Sequence, residues 1–96
     1  MSKKGYWMAM VDVTDAEGYK QYVAANAAAF AKYGARFVVR GGQAQVLEGA
    51  QASRLVVIEF DTYQTALDCY HSPEYQAALK LRQQFSTAHF AIVEGA

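Results

Sequence analysis

Two polar side chains of this sequence fall on helix stripes that are otherwise apolar. At about 100° per residue, Asn26 shares a stripe with Tyr22 and Phe30, and Arg82 shares another with Tyr75. An unpaired buried amide costs roughly 1–3 kcal/mol, and a guanidinium rarely faces a core without a partner. Each group therefore either pairs within the protein or contacts a ligand in a pocket with aromatic walls. The sequence leaves both interpretations open.

A carboxylate occupies a similar position in a predicted strand. Glu59 lies in the apolar run RLVVIEF, on the same side as Leu55 and Val57. Burial there would raise the pKa of its carboxyl group unless a cation or a hydrogen-bond donor holds it ionised. We expect either an ion pair with Arg40 or Arg82, or a carboxylate that acts as a general base.

His71 is the best single candidate for proton transfer, because histidine titrates near neutrality. It precedes a turn at Ser72, where its side chain can face either solvent or the gap between helix and sheet. If catalysis occurs, we predict proton transfer or cofactor-independent oxidation of a hydrophobic or anionic small molecule. His71 or Glu59 would be the base, and Arg82 would hold the anion.

We predict no metal and no cofactor. The two histidines, His71 and His89, are too far apart in sequence to indicate a metal site by their spacing. The sequence also has no phosphate-binding glycine loop and no nucleophile elbow, and the Gly41-Gly42 pair indicates a turn.

Local signals predict the elements that position these side chains. Thr14 and Glu17 form a capping-box pattern at the start of a helix, and Gly34 indicates its end. Ser72 and Pro73 indicate the start of another helix. The predicted helices are 14–33, about 61–70 and 73–84, and the predicted strands are 6–13, 36–40, 54–60 and 89–93, with a short edge strand at 44–47.

This order of elements is the split β-α-β arrangement, so we predict an α+β, ferredoxin-like sandwich with helices on one face of an antiparallel sheet. The first strand is apolar on both faces, because Met8 and Met10 alternate with Trp7 and Val11. The simplest cover for the face without helices is a second copy of the same sheet. We therefore predict that residues 1–96 form one domain that pairs into a homodimeric α+β barrel.

Composition narrows the classes of partner. Nine basic and nine acidic side chains give a formal net charge of +0, so the field that attracts nucleic acid or an anionic membrane is missing. The single cysteine, Cys69, cannot form an internal disulfide, and no apolar run approaches the ~20 residues of a membrane span. We predict a cytoplasmic protein without nucleic-acid or membrane partners.

Several sequence blocks together resemble a known family. GYWMAMVDVTD, EGYKQYVAANAAAFAKYGARFVVRGG, LEG, RLVVIEF and YHSPEYQAALKLR follow one another over nearly the whole chain. In this order they resemble the bacterial domain-of-unknown-function family numbered thirteen-thirty, within the dimeric α+β barrel superfamily. The resemblance implies the fold and dimerisation but no substrate. The wider superfamily includes cofactor-free monooxygenases, lactone isomerases and haem enzymes, whose roles do not follow from the fold.

Two functions are compatible with these observations. In the first, the protein is a small-molecule binder or enzyme with a pocket between sheet and helices. In the second, it is a non-catalytic structural or interaction protein that acts as a homodimer. The polar groups on apolar stripes would then serve only to fix the orientation of the helices.

Overall fold

A computed structural model describes residues 3–49 and 53–96 of the chain. These ranges form one four-stranded sheet and three helices. The strands are β1 (Gly5–Val13), β2 (Arg36–Arg40), β3 (Arg54–Phe60) and β4 (Ser86–Glu94). The helices are α1 (Ala16–Tyr33), α2 (Tyr63–His71) and α3 (Pro73–Phe85).

The sheet has the strand order β2-β3-β1-β4, and every neighbouring pair is antiparallel. The connection through α1 passes over β3 to reach β2, and the connection through α2 and α3 passes over β1 to reach β4. This is the split β-α-β topology, so the predicted fold class is confirmed. The pairing of β2 with β3 contains a bulge, where the register shifts between Phe37 and Val39.

The helices pack on one face of the sheet, around the single tryptophan. Trp7 is 1% exposed, and its indole N–H donates a hydrogen bond of 2.9 Å to the carbonyl of Ala66 in α2. Five aromatic rings have centroids within 6.0 Å of the Trp7 ring, namely those of Phe30, Phe60, Tyr70, Tyr75 and Phe90. Edge-to-face contacts of this kind stabilise aromatic cores beyond the burial of their area.

The other face of the sheet carries no helix of the described chain. Cross-strand pairs place Met8 beside Val57 and Ala91, and Met10 beside Leu55. Met8 is 49% exposed, a large fraction for an apolar side chain at the centre of a sheet. We call this surface, formed by residues 6, 8, 10, 55, 57, 59, 89, 91 and 93, the open face.

The start of α1 differs from the prediction. The carboxylate of Asp15 accepts a hydrogen bond of 3.1 Å from the amide of Gly18, so Asp15 is the N-cap. The predicted capping box of Thr14 and Glu17 is therefore wrong. The Thr14 amide instead donates to the carbonyl of Phe85 at 2.9 Å, which ties the start of α1 to the end of α3.

The other predicted helix ends are confirmed. Gly34 ends α1 in the left-handed conformation, with φ of 68°. Ser72 accepts a hydrogen bond of 3.1 Å from the amide of Tyr75, and Pro73 is the first residue of α3. Thr62 caps the start of α2, where its hydroxyl accepts a hydrogen bond of 3.0 Å from the amide of Thr65.

The predicted edge strand at 44–47 is wrong, because these residues form no strand. Its large apolar side chains, Val46 and Leu47, are adjacent and would point to opposite sides of a strand, so neither face could be buried. Leu47 is 80% exposed. The last strand is longer than predicted, since β4 begins at Ser86. Within 3–49 and 53–96, no helix has the length and apolarity needed to cross a membrane.

Gly5 lies where β1 touches the start of α2. A Cβ added there would lie 2.6 Å from both the carbonyl oxygen of Thr62 and the Cα of Tyr63. Because backbone must move to relieve this overlap, we expect Gly5→Ala to lower the free energy of unfolding by about 1–3 kcal/mol in urea denaturation. Gly42→Ala is the control, because a Cβ at Gly42 meets nothing within 4 Å. Equal unfolding midpoints for the two variants would show that the contact between β1 and α2 is not tight at Gly5.

Candidate functional site

A cavity of about 30 Å³ lies between the sheet and the helices α1 and α3. This volume holds roughly one or two water molecules. The floor is formed by apolar side chains of the sheet, which are Trp7, Ala9, Val11, Val56, Ile58 and Phe90. The α1 side is formed by Tyr19, Tyr22, Val23, Asn26 and Phe30, and Phe37 and three arginines complete the wall. Aromatic walls with a few polar groups are typical of a small-molecule site.

Asn26 lies on the cavity side of α1 and is 7% exposed. Its amide is close enough to the Tyr22 hydroxyl to lower the pKa of Tyr22, against the larger effect of burial. Because an amide has two N–H donors and an acceptor oxygen, this one contact with Tyr22 leaves hydrogen-bonding capacity inside the cavity.

Arg82 brings a guanidinium from α3 into the same cavity. It is 7% exposed, and its Cζ lies 5.2 Å from the centroid of the Phe90 ring. Its Nε is buried and has no hydrogen-bond partner in the described chain. The Nε of Arg54, at the start of β3, is also buried and has no hydrogen-bond partner in the described chain. Arg40 is exposed and stacks over Phe37, and the distance from its Cζ to the centroid of the Phe37 ring is 4.1 Å.

Two tyrosine hydroxyls form a buried pair beside the cavity. The oxygens of Tyr22 and Tyr75 are 2.9 Å apart, and either hydroxyl can donate. Tyr75, which was predicted to bind ligand, is 0% exposed and is not part of the cavity lining, and its ring packs against those of Trp7 and Phe30. Burial is the main cause that raises the pKa of Tyr22 well above its ordinary value, and it also raises the pKa of Tyr75. Both hydroxyls are therefore neutral donors and acceptors near neutral pH.

Glu59 lies on the open face, away from this cavity. Its carboxylate accepts hydrogen bonds of 2.9 Å from the Tyr6 hydroxyl and 3.0 Å from the Nε of Arg36. The hydrogen bond from Tyr6, followed by that from Arg36, lowers the pKa of Glu59. The expected partners Arg40 and Arg82 were wrong, because both side chains line the cavity on the helix side of the sheet.

His71 also lies outside the cavity lining. It is the last residue of α2, it is exposed, and its ring meets the ring of Tyr70 edge-on with 5.2 Å between centroids. The structure thus separates the two predicted proton-transfer groups from the predicted ligand-binding groups. The cavity does bring together most of the latter, which are Tyr22, Asn26, Phe30, Arg40 and Arg82.

Sequence reasoning missed Arg54 and Phe37 as cavity residues. A signal for Arg54 was present, because it has the strand parity of Val56 and Ile58, which face the helices. Tyr19, three residues before Tyr22 on the same helix, also lines the cavity and was not predicted as a site residue.

The fold and the cavity define a ferredoxin-like α+β protein with an aromatic site under its helices. The family model described as "Domain of unknown function (DUF1330)" matches residues 4–96, and the chain belongs to this family. The predicted family, the one numbered thirteen-thirty, is therefore confirmed. Among proteins of curated function, no sequence matches the chain.

Solved structures share the fold at low sequence identity. RPA0582 from Rhodopseudomonas palustris, a protein of unknown function, has a TM-score of 0.78 at 17% identity, over 100% of this chain and 85% of that chain. SnoaB from Streptomyces nogalater, a cofactor-independent oxygenase, has a TM-score of 0.65 at 14% identity, over 99% and 95%. A dimeric ferredoxin-like protein of unknown function from Thermobifida fusca has a TM-score of 0.59 at 16% identity, over 100% and 92%.

The buried tyrosine pair makes stability depend on alkaline pH. In the unfolded chain a tyrosine ionises near pH 10, whereas folded Tyr22 keeps its proton to higher pH. Its contribution is therefore complete below about pH 10 and is lost above it, by about 1.4 kcal/mol per pH unit. We expect Tyr22→Phe to make the alkaline fall in unfolding free energy shallower. Tyr63→Phe, an exposed control, should leave that slope unchanged. A larger change of slope for Tyr63→Phe than for Tyr22→Phe would show that the buried Tyr22 hydroxyl is not the cause of the alkaline fall.

Proposed function

We propose that the protein is a homodimer that binds a small molecule in the cavity between its sheet and its helices. The observation that carries this proposal is the buried Nε of Arg82, which lines an aromatic cavity and has no hydrogen-bond partner in the described chain. Leaving an N–H of a buried charged group without an acceptor is costly, and departures of this kind concentrate at functional sites.

The enclosed volume limits how a ligand binds. About 30 Å³ admits a small polar head group but not a whole drug-sized molecule. The ligand body must therefore extend through the mouth of the cavity, or α1 must move away from the sheet. Arg40 and Arg54, which are not fully buried, lie on this mouth.

The alternative is a structural or interaction homodimer without a ligand. The small volume and the closed hydroxyl pair of Tyr22 and Tyr75 favour it, because both are features of a packed core. It requires that Asn26 and Arg82 stabilise the protein in the absence of ligand. Binding experiments on variants of these residues separate the two functions.

A protein that binds a small molecule in this cavity could also catalyse a reaction on it. The similarity to a cofactor-independent oxygenase supports oxidation without a cofactor as the reaction class. The described cavity lining contains no Asp, Glu or His, so proton transfer by His71 or Glu59 stays a prediction that requires substrate to reach them. The absence of a base in the lining favours binding over catalysis. The cytoplasmic location also stays a prediction.

Asn26→Leu tests the site. We expect this variant to lose the thermal stabilisation that a bound ligand gives, which is about 2.7 kcal/mol at a hundredfold excess over the dissociation constant. The measurement is differential scanning fluorimetry across a panel of small aromatic and aliphatic metabolites. Gln21→Leu is the matched control, because Gln21 is exposed on the solvent side of the same helix.

The result that contradicts the proposal is equally clear. If no compound stabilises the wild type and Asn26→Leu alone destabilises the ligand-free protein by more than about 1 kcal/mol, Asn26 is a structural group. The homodimer without a ligand would then be the correct function.

The open face supports the homodimer. Met8, Met10 and Val93 are exposed by 49%, 37% and 43%, and similar structures are described as dimeric. Contiguous apolar surface of this kind marks an interaction site. A sheet that meets its own copy across a two-fold axis would bury it.

Met8→Glu tests this interface. A carboxylate at the centre of the buried surface would be desolvated without a partner, so we expect the variant to sediment at the 10.6 kDa mass of one chain and the wild type at about twice that mass. Ala24→Glu, on the exposed side of α1, should sediment like the wild type. A wild type that sediments as a monomer at micromolar concentration would exclude the homodimer.

A further inference from the structure

We propose that Arg54 and Arg82 together form a site for the carboxylate of an apolar, aromatic ligand. This inference rests on the proposed function and names the class of molecule that the cavity binds. Arg82 reaches the cavity from α3 and Arg54 from the start of β3, so the two charges approach from opposite walls.

The positions of the acidic side chains, outside the cavity, support a carboxylate site between Arg54 and Arg82. In the described chain the ion pairs are made by Lys20, Lys32 and Arg36, and all of them lie outside the cavity. The cavity lining contains Arg40, Arg54 and Arg82 but no Asp or Glu within 3–49 and 53–96. Three cations around one cavity repel each other unless an anion joins them.

Both arginines line the same cavity as the Tyr19 side chain. Tyr19 is 8% exposed and lines the cavity, and the positive charges of Arg54 and Arg82 both oppose the rise that burial causes in its pKa. Both charges therefore lie close to the Tyr19 hydroxyl. This hydroxyl can donate a third hydrogen bond to an anion held between the arginines.

The size of the cavity selects the head group. About 30 Å³ is the space of one or two waters, which suits a planar carboxylate better than a tetrahedral phosphate. A guanidinium also matches the two carboxylate oxygens with two parallel N–H groups. The apolar floor and the rings of Phe37 and Phe90 then suit an aromatic body beside the head group.

Matched pairs of acids and amides test the inference. Benzoate and 2-naphthoate are titrated against benzamide and 2-naphthamide, with phenyl phosphate as a further probe. The readout is the indole N–H resonance of Trp7, which is unique because the chain has one tryptophan and which reports on the cavity floor. We expect each acid to bind at least about tenfold more tightly than its amide, and phenyl phosphate more weakly than benzoate.

Variants identify the group responsible. Arg82→Met keeps an unbranched apolar stem without the guanidinium group, and it should reduce the preference for acid over amide to within about twofold, because the charge-assisted hydrogen bonds are lost. Lys80→Met removes the same charge from the exposed side of the same helix and should keep the full preference. Without ligand, Arg82→Met should melt at the same or a higher temperature than the wild type, because it removes a buried guanidinium whose Nε has no acceptor in the described chain.

The outcomes separate this inference from the function on which it rests. If amides bind as tightly as acids, the cavity is a binding site but not an anion site, and only the inference is overturned. It is also overturned if Arg82→Met keeps the acid preference, or if it lowers the melting temperature more than Lys80→Met does. If no acid and no amide moves the Trp7 resonance, the proposed function and the inference are both overturned.

Discussion

The alternation of side chains along β1 is the constraint on which the rest of the structure depends. Successive residues of a strand point to opposite faces, so Trp7 and Val11 face the helices while Met8 and Met10 face away. The helix side becomes a closed aromatic core around Trp7. The other side stays apolar and uncovered within the described chain, which is why the same strand contributes to both the ligand cavity and the surface proposed for dimerisation.

The charged groups on the two faces of the sheet differ in whether they have partners within the protein. On the open face, Glu59 is held ionised by Tyr6 and Arg36, so its charge is satisfied within the protein. On the helix side, Arg54 and Arg82 have buried nitrogens without acceptors. A protein that required these cations only for stability would gain by pairing them or replacing them with apolar groups. Of the three buried side-chain atoms without a partner in the described chain, the two on Arg54 and Arg82 lie in the cavity lining, and the third, Glu74 Oε2, lies outside it.

Much of the fold could be predicted from sequence because local signals agreed with the global topology. Gly34, Ser72 and Pro73 each mark a helix end through a backbone requirement that few other residues meet. The edge strand at 44–47 failed because strand propensity without a face to bury does not form a strand. The capping box failed because Asp15, the next residue along, offers an equivalent oxygen at the correct position.

The candidate site was only partly predictable, for a physical reason. Asn26 and Arg82 were found because a polar group on an apolar helix stripe conflicts with its surroundings, and that conflict is visible in sequence. Arg54 begins a strand, where a charged residue raises no conflict, so its burial depends on tertiary packing alone. Glu59 was assigned to the correct class of interaction, an ion pair, but to the wrong arginines.

The bulge in β2 explains that last error and has a wider consequence. Arg36 and Arg40 are four residues apart, so an uninterrupted strand would direct both guanidinium groups to the same side of the sheet. The register shift between Phe37 and Val39 sends Arg36 to Glu59 and Arg40 to the cavity mouth. One inserted residue thus places two like charges on opposite faces of the sheet, one beside Glu59 and one at the cavity. Shortening β2 by that residue would move a positive charge from the entrance of the cavity onto the open face, so a single deletion would change the electrostatics of both sides of the sheet at once.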